Sequence, residues 1–241
     1  MSTASVADHM MKQLSFVLLV GLAACSKTSD PAQKGSGKAT ESAPAADDKL
    51  AGVLPAKAPP AFAAWDLPAR AKAWQGAHVV DGLAYEIAGT VAKVWDGTAE
   101  KKLTFTLESP CSAKLMEKSA DGSESGSVAT FTLKGGKLVA GLGEAGSRKG
   151  KSAIACVGGQ VLTLDDAGTC LAWSSMFEWK SEPGTCAFAQ QGGKEVFTAK
   201  VNNSDTTLVV DGDALMTEQL VNAHSSDFPD YAAAKAALAK K

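Results

Sequence analysis

From Val91 onward the chain alternates hydrophobic and polar positions with a period of two. Val91, Lys93 and Trp95 alternate with smaller residues before an Asp96-Gly97 turn, and Leu103, Phe105 and Leu107 alternate with Thr104, Thr106 and Glu108. Comparable runs fall at 128–133, 137–142, 152–157, 160–164, 169–173, 186–190, 195–201 and 206–210. Gly135-Gly136, Gly158-Gly159, Asp166-Ala167-Gly168 and Gly192-Gly193 punctuate them. Short strands joined by such turns predict a mainly β domain, an antiparallel meander forming a barrel or a two-sheet sandwich. A short N-terminal helix over Trp65–Trp74 is expected, with Asp66 as its cap, Pro68 in its first turn and Gly76 ending it. The C-terminal end reads as helical: Asp213 is placed to cap 214–223, and Asp227 to cap 229–240. That last stretch is rich in Ala and Lys and is expected to be lightly packed.

Ahead of the alternating region the pattern is different. Residues 26–60 are dominated by Ala, Lys, Ser, Pro, Asp and Gly, and no aromatic side chain occurs between Phe16 and Phe62. Such a stretch cannot bury enough apolar surface to offset the entropy of ordering it, so it reads as a tether. Its random-coil reach is roughly 30–35 Å. Upstream, Met11-Lys12-Gln13-Leu14 opens an apolar run of about ten residues that ends in Leu22-Ala23-Ala24-Cys25, the layout of a secretory signal. The run falls short of the ~20 apolar residues that a permanent membrane-spanning helix needs. Asp8 stands where positive charge is expected, so translation is expected to start at Met10 or Met11. The expected organisation is therefore a signal over 1–24, a tether over 25–60, a β domain over 61–226 and a helical tail over 227–241.

The segment Leu22-Ala23-Ala24-Cys25 resembles the lipobox of bacterial lipoproteins. That resemblance implies cleavage before Cys25 and acylation of its thiol and new amino group. Several acyl chains on one residue give firm membrane anchoring, where a single chain is marginal. Ser26 after the lipidated position implies the outer membrane over inner-membrane retention. The localisation expected is the cell envelope, lipid-anchored and facing the periplasm or the cell surface. The helix, meander, helix order is also similar in layout to lipocalin-like barrels, although Lys72 stands where that family's Gly-x-Trp would place glycine before Trp74.

Composition narrows the function further. Of 241 residues, 24 are basic and 26 acidic, which gives a net charge of −2 and no broadly basic surface for nucleic acid. Besides Cys25 there are four cysteines: Cys111, Cys156, Cys170 and Cys186. An even number in an exported domain reads as two disulfides with three pairings open. The echo of Gly168-Thr169-Cys170 in Gly184-Thr185-Cys186 favours Cys170–Cys186, which leaves Cys111–Cys156. A zinc site and a redox-active pair are the rival readings. No Cys-x-x-Cys spacing supports them, and His78 and His224 lie far away in sequence, so no metal and no cofactor is expected.

Several motifs imitate catalytic or nucleotide chemistry. Gly141-Leu142-Gly143-Glu144-Ala145-Gly146 spells a dinucleotide fingerprint, and 145–152 a relaxed phosphate loop, but neither precedes a helix pattern. Gly122-Ser123-Glu124-Ser125-Gly126 has Glu where a nucleophile elbow needs Ser. Asp211-Gly212-Asp213 lacks the further oxygen ligands of a calcium loop. Two candidate contact surfaces survive. Arg148, Lys149 and Lys151 form the densest basic cluster, expected on a loop, and Trp173, Phe177 and Trp179 with Met176 form an aromatic cluster. The expected function is a non-catalytic envelope module that binds an envelope protein, a polymer or a small apolar ligand. A lipocalin-like carrier and an extracytoplasmic hydrolase using Asp/Glu or His chemistry, which a cleft holding His78 or His224 beside a carboxylate would favour, are the alternatives.

Overall fold

A computed structural model describes residue 50 and residues 52–141, 143–201, 203–221 and 226–240, the side chain at 226 excepted. The lipobox with Cys25, the stretch 26–49 and His224 lie outside the described residues. The fold is mainly β, with two curled antiparallel half-barrel sheets and a few short helices. A 3-10 turn at Pro60–Trp65 leads into α1, Leu67–Ala73, whose cap is Asp66: its carboxylate accepts the Ala69 N–H at 3.1 Å.

Seven strands follow as a continuous meander: β1 Gly76–Val80, β2 Leu83–Ala88, β3 Val91–Trp95, β4 Glu100–Ser109, β5 Ser112–Lys118, β6 Glu124–Lys134 and β7 Lys137–Gly141. Their concave face carries Ile87, Phe105, Leu107, Leu115, Phe131 and Leu138, and Trp74 at the end of α1 fills it. The Trp74 ring packs 5.5 Å from both Phe105 and Phe131. Leu50 and Val53 join this core, and the Val53 carbonyl accepts the Leu107 N–H. The stretch read as tether up to residue 60 therefore ends inside the fold: Leu50 and Val53, twelve and nine positions ahead of Phe62, find a place on the concave face.

The second sheet holds β8 Ala145–Lys149, β9 Ser152–Val157, β10 Gln160–Leu164, β11 Cys170–Ser174, β12 Lys180–Pro183, β13 Thr185–Gln191, β14 Lys194–Val201, β15 Ser204–Asp211 and β16 Ala214–Met216. Its edge strands, β12 and β13, are consecutive in the chain with Gly184 alone between them, so the sheet curls until its edges share a corner. The Gly184 N–H donates to the Cys170 carbonyl at 2.9 Å, and the Cys170–Cys186 disulfide ties that corner. Ala153, Ala155 and Val157 of β9 face the interior with Leu162, Phe197, Leu208 and Leu215, and Ile154 and Cys156 face the other way.

Three expectations are corrected here. Residues 214–216 form β16 rather than the start of a helix, because pairing with β15 and β8 buries all three; α2 covers only Glu218–Val221. The C-terminal segment is not lightly packed. It begins as β17, Ser226–Phe228, paired with β1, and continues as α3, Tyr231–Leu238, capped by Asp230 rather than Asp227. Tyr231 and Ala234 are buried against Ala77 and Ala84 on the convex side of the first sheet. The basic cluster is not a loop either: Arg148 and Lys149 end strand β8, which pairs on both edges, and only Lys151 lies in the turn to β9.

Candidate functional site

The two sheets meet along a polar seam. Arg70 on α1 is only 6% exposed. Its guanidinium donates to the Trp65 carbonyl at 2.6 Å, to the Pro110 carbonyl at 2.8 Å and to the Ser147 hydroxyl at 3.0 Å. Ser147 in turn lies 3.0 Å from the Thr132 hydroxyl, so α1, the β4–β5 turn, β6 and β8 are joined through one cation. Burial pulls the Arg70 pKa down to about 10, against the opposing pull of Asp66 and Asp213. Beside it the Cys111–Cys156 disulfide crosses from the β4–β5 turn to β9, and Ser109 hydrogen-bonds Ser112 at 2.7 Å and contacts both sulfurs. Both disulfides pair as the sequence favoured.

A cleft opens along this seam. One lobe, of about 270 Å³, runs between Ser112, Val128 and Thr130 on the first sheet and Cys156 and Gln160 on the second, with Glu144 just ahead of β8 also lining it. An adjoining lobe of about 530 Å³ is lined by Gly52, Leu54–Lys57, Thr106 and Lys114. Glu108, Ser175 and Trp179 wall both lobes. Glu108 is held by Lys114, its Oε1 lying 2.7 Å from the ammonium.

The aromatic cluster read from the sequence forms one rim of this cleft and divides into two parts. Trp173 and Trp179 point outward from the second sheet and clasp the fully buried Phe62 edge-on, with ring centres 6.1 and 5.1 Å away. Trp173 also donates its indole N–H to the Thr163 hydroxyl at 2.9 Å. Between them the β11–β12 hairpin reverses through a 3-10 turn at Ser175–Phe177. Glu178 and Trp179 then both adopt left-handed backbone, at φ of 53° and 60°. Each such non-glycine residue costs about 1–2 kcal/mol, which the Phe62 contacts and the Trp179 N–H to Ser174 carbonyl bond offset. The reversal leaves Met176 at 86% and Phe177 at 64% exposure on the apex.

The basic cluster lies elsewhere and is divided. Arg148 pairs with Glu195, donates to the Gly150 carbonyl at 2.7 Å and stacks 4.4 Å over the Phe188 ring, so it closes one end of the second sheet. Lys149 and Lys151 remain exposed. His78 is buried, with Nε2 3.2 Å from the Trp74 carbonyl and Nδ1 3.4 Å from the Asp227 carboxylate. The imidazole therefore meets a carboxylate away from any lining of the cleft. Phe62, Arg70 and Glu108 carry much of the site, and nothing in the sequence neighbourhood of Arg70 or Glu108 marked them. A lone aromatic after the Pro59-Pro60 pair was the one available signal for Phe62.

No protein-family model matches the chain, and no curated protein or solved structure is significantly similar to it.

Proposed function

We propose that the protein is a lipid-anchored module of the bacterial envelope that binds a partner at the inter-sheet cleft without catalysing a reaction. The observation that carries this reading is the cleft itself. It is walled by Trp179, and its rim exposes Met176 and Phe177, apolar side chains that core packing does not use. The lipobox at Leu22–Cys25 supports lipid anchorage in the envelope, and the two disulfides accord with an oxidising compartment. The partner classes that suit a largely apolar cleft are an envelope protein, a polymer or a small apolar ligand. Trp74, Phe105 and Phe131 occupy the first concave face, and Leu162, Phe197 and Leu208 the second, so the cleft is favoured over an internal cup of the lipocalin kind.

Two measurements test the reading. Mass analysis of the protein isolated from membranes is expected to give an acylated N-terminus at Cys25, and Cys25→Ser is expected to abolish acylation and leave the leader uncleaved. An unmodified chain starting elsewhere would refute the anchor. A photo-crosslinker at Gln160 in the cleft is expected to trap a discrete partner or ligand in intact cells, whereas one at Lys149, outside the cleft, is not. Identical yields at both positions would refute the cleft as the site.

A further inference from the structure

The β11–β12 hairpin presents a small apolar apex. Met176 and Phe177 stand at its tip, while Trp173 and Trp179 fix its base on Phe62. The charges around it show no cationic excess: Lys57, Lys114 and Lys180 stand against Glu108, Glu144, Glu178 and Glu182. The chain also arrives beside it, since Gly52 and Leu54–Lys57 line the same lobe as Ser175, Glu178 and Trp179.

We infer that this hairpin docks on a lipid bilayer, with Met176 and Phe177 entering the boundary between headgroups and acyl chains. The inference rests on the proposed lipidation of Cys25. About 25 residues separate Cys25 from Leu50, a length of chain that spans at most roughly 85 Å. An acylated Cys25 therefore keeps the apex within tether reach of the same membrane, because the chain enters the domain beside the hairpin. Two inserted side chains bind weakly by themselves, but a tether makes the second contact intramolecular, at an effective concentration of the order of millimolar. With no cationic excess around the apex, apolar insertion and not attraction to anionic headgroups supplies the contact. The cleft then lies close to the bilayer surface.

The test uses the acylated protein in phosphatidylcholine vesicles, with Met176→Cys carrying an environment-sensitive fluorophore and Lys194→Cys, at the exposed start of β14, as the control. The fluorophore at 176 is expected to shift to the blue and to be quenched by spin-labelled lipid, with no change at 194. A second arm needs no anchor: the chain from Ser26 onward contains every described residue and is titrated with millimolar vesicles. Replacing Met176 and Phe177 together by Ala, both exposed and outside the core, is expected to lower its partition about tenfold or more, with little dependence on salt or on added phosphatidylglycerol. The inference is overturned if the fluorophore at 176 stays in water on vesicles that carry the protein, or if the double variant partitions like the parent. It is overturned equally if the shift appears without lipid and grows with protein concentration, which would assign the apex to a second copy. A missing acyl group, read by mass on the same preparation, marks failure of the anchor, while the second arm still decides the insertion.

Discussion

The guanidinium of Arg70 donates a 3.0 Å hydrogen bond to the hydroxyl of Ser147, a residue 77 positions away on the opposite sheet. The same cation satisfies two carbonyls, so one buried charge with three neutral partners ties α1 and the β4–β5 turn to β8 across the seam. Arg70→Ala is expected to destabilise the fold by about 2–4 kcal/mol, because it leaves the Pro110 carbonyl and the Ser147 hydroxyl short of a donor in the interior. Arg70→Lys restores the charge but not the fork, and is expected to recover less than half of the loss. Urea titration of both variants checks this.

The two disulfides close chain segments of different length, with separations of 45 and 16 residues. Loop-closure entropy assigns about 4 kcal/mol to Cys111–Cys156 and about 3 kcal/mol to Cys170–Cys186. Replacing each pair by Ser is expected to lower stability in that order. The first pair should also loosen the seam, seen as faster amide exchange in β9. Equal losses for the two pairs would refute the chain-entropy account.

Gly184 turns the corner between β12 and β13. A Cβ there would stand 3.0 Å from the Cys170 sulfur and 3.3 Å from the Ala172 nitrogen, neither of which is a free chain end that can swing aside. Gly184→Ala is expected to cost about 1–3 kcal/mol through overpacking. Gly168→Ala, strained by backbone conformation alone with nothing near its Cβ, serves as the comparison. Thermal unfolding of the two variants separates crowding from conformational strain.

Asp96 closes the β3–β4 hairpin. Its carboxylate accepts the Ala99 N–H, the Thr98 N–H and the Thr98 hydroxyl, each at 2.8 Å, and these bonds hold its pKa down to about 2 from an ordinary 3.8. Because the folded value is depressed, the stabilisation is complete above about pH 4 and disappears as pH falls through 2. The stability difference between the parent and Asp96→Ala is therefore expected to be constant from pH 7 to 5 and to close towards pH 2. A difference that stays unchanged at pH 2 would contradict it.

Much of the second sheet could be read directly. The runs at 152–157 and 160–164 coincide with β9 and β10, since alternation flanked by Gly-Gly turns leaves a hairpin little freedom. Strands β1 and β2 escaped because Ala and Gly dilute their apolar signal, and β5 because Ser112, Lys114, Glu117 and Lys118 do; Asp81 and Gly82, both left-handed, turn β1 into β2. The aromatic run 173–179 was visible as a cluster, but its division into buried Trp and exposed Met and Phe was not. That division depends on Phe62, more than a hundred residues earlier.

Sequence by itself determined what local chemistry controls: the strand period, the glycine turns, the Asp66 cap and a cysteine count that pairs. Tertiary structure alone decided which strands are neighbours, that β12 and β13 share a corner, that Arg70 binds across the seam and that the cleft lies at Trp179. The physical reason is that a period of two states which face of a strand is buried but not what covers it. Loop-closure entropy grows too slowly with length to choose among distant partners, so packing and buried hydrogen bonds make the choice.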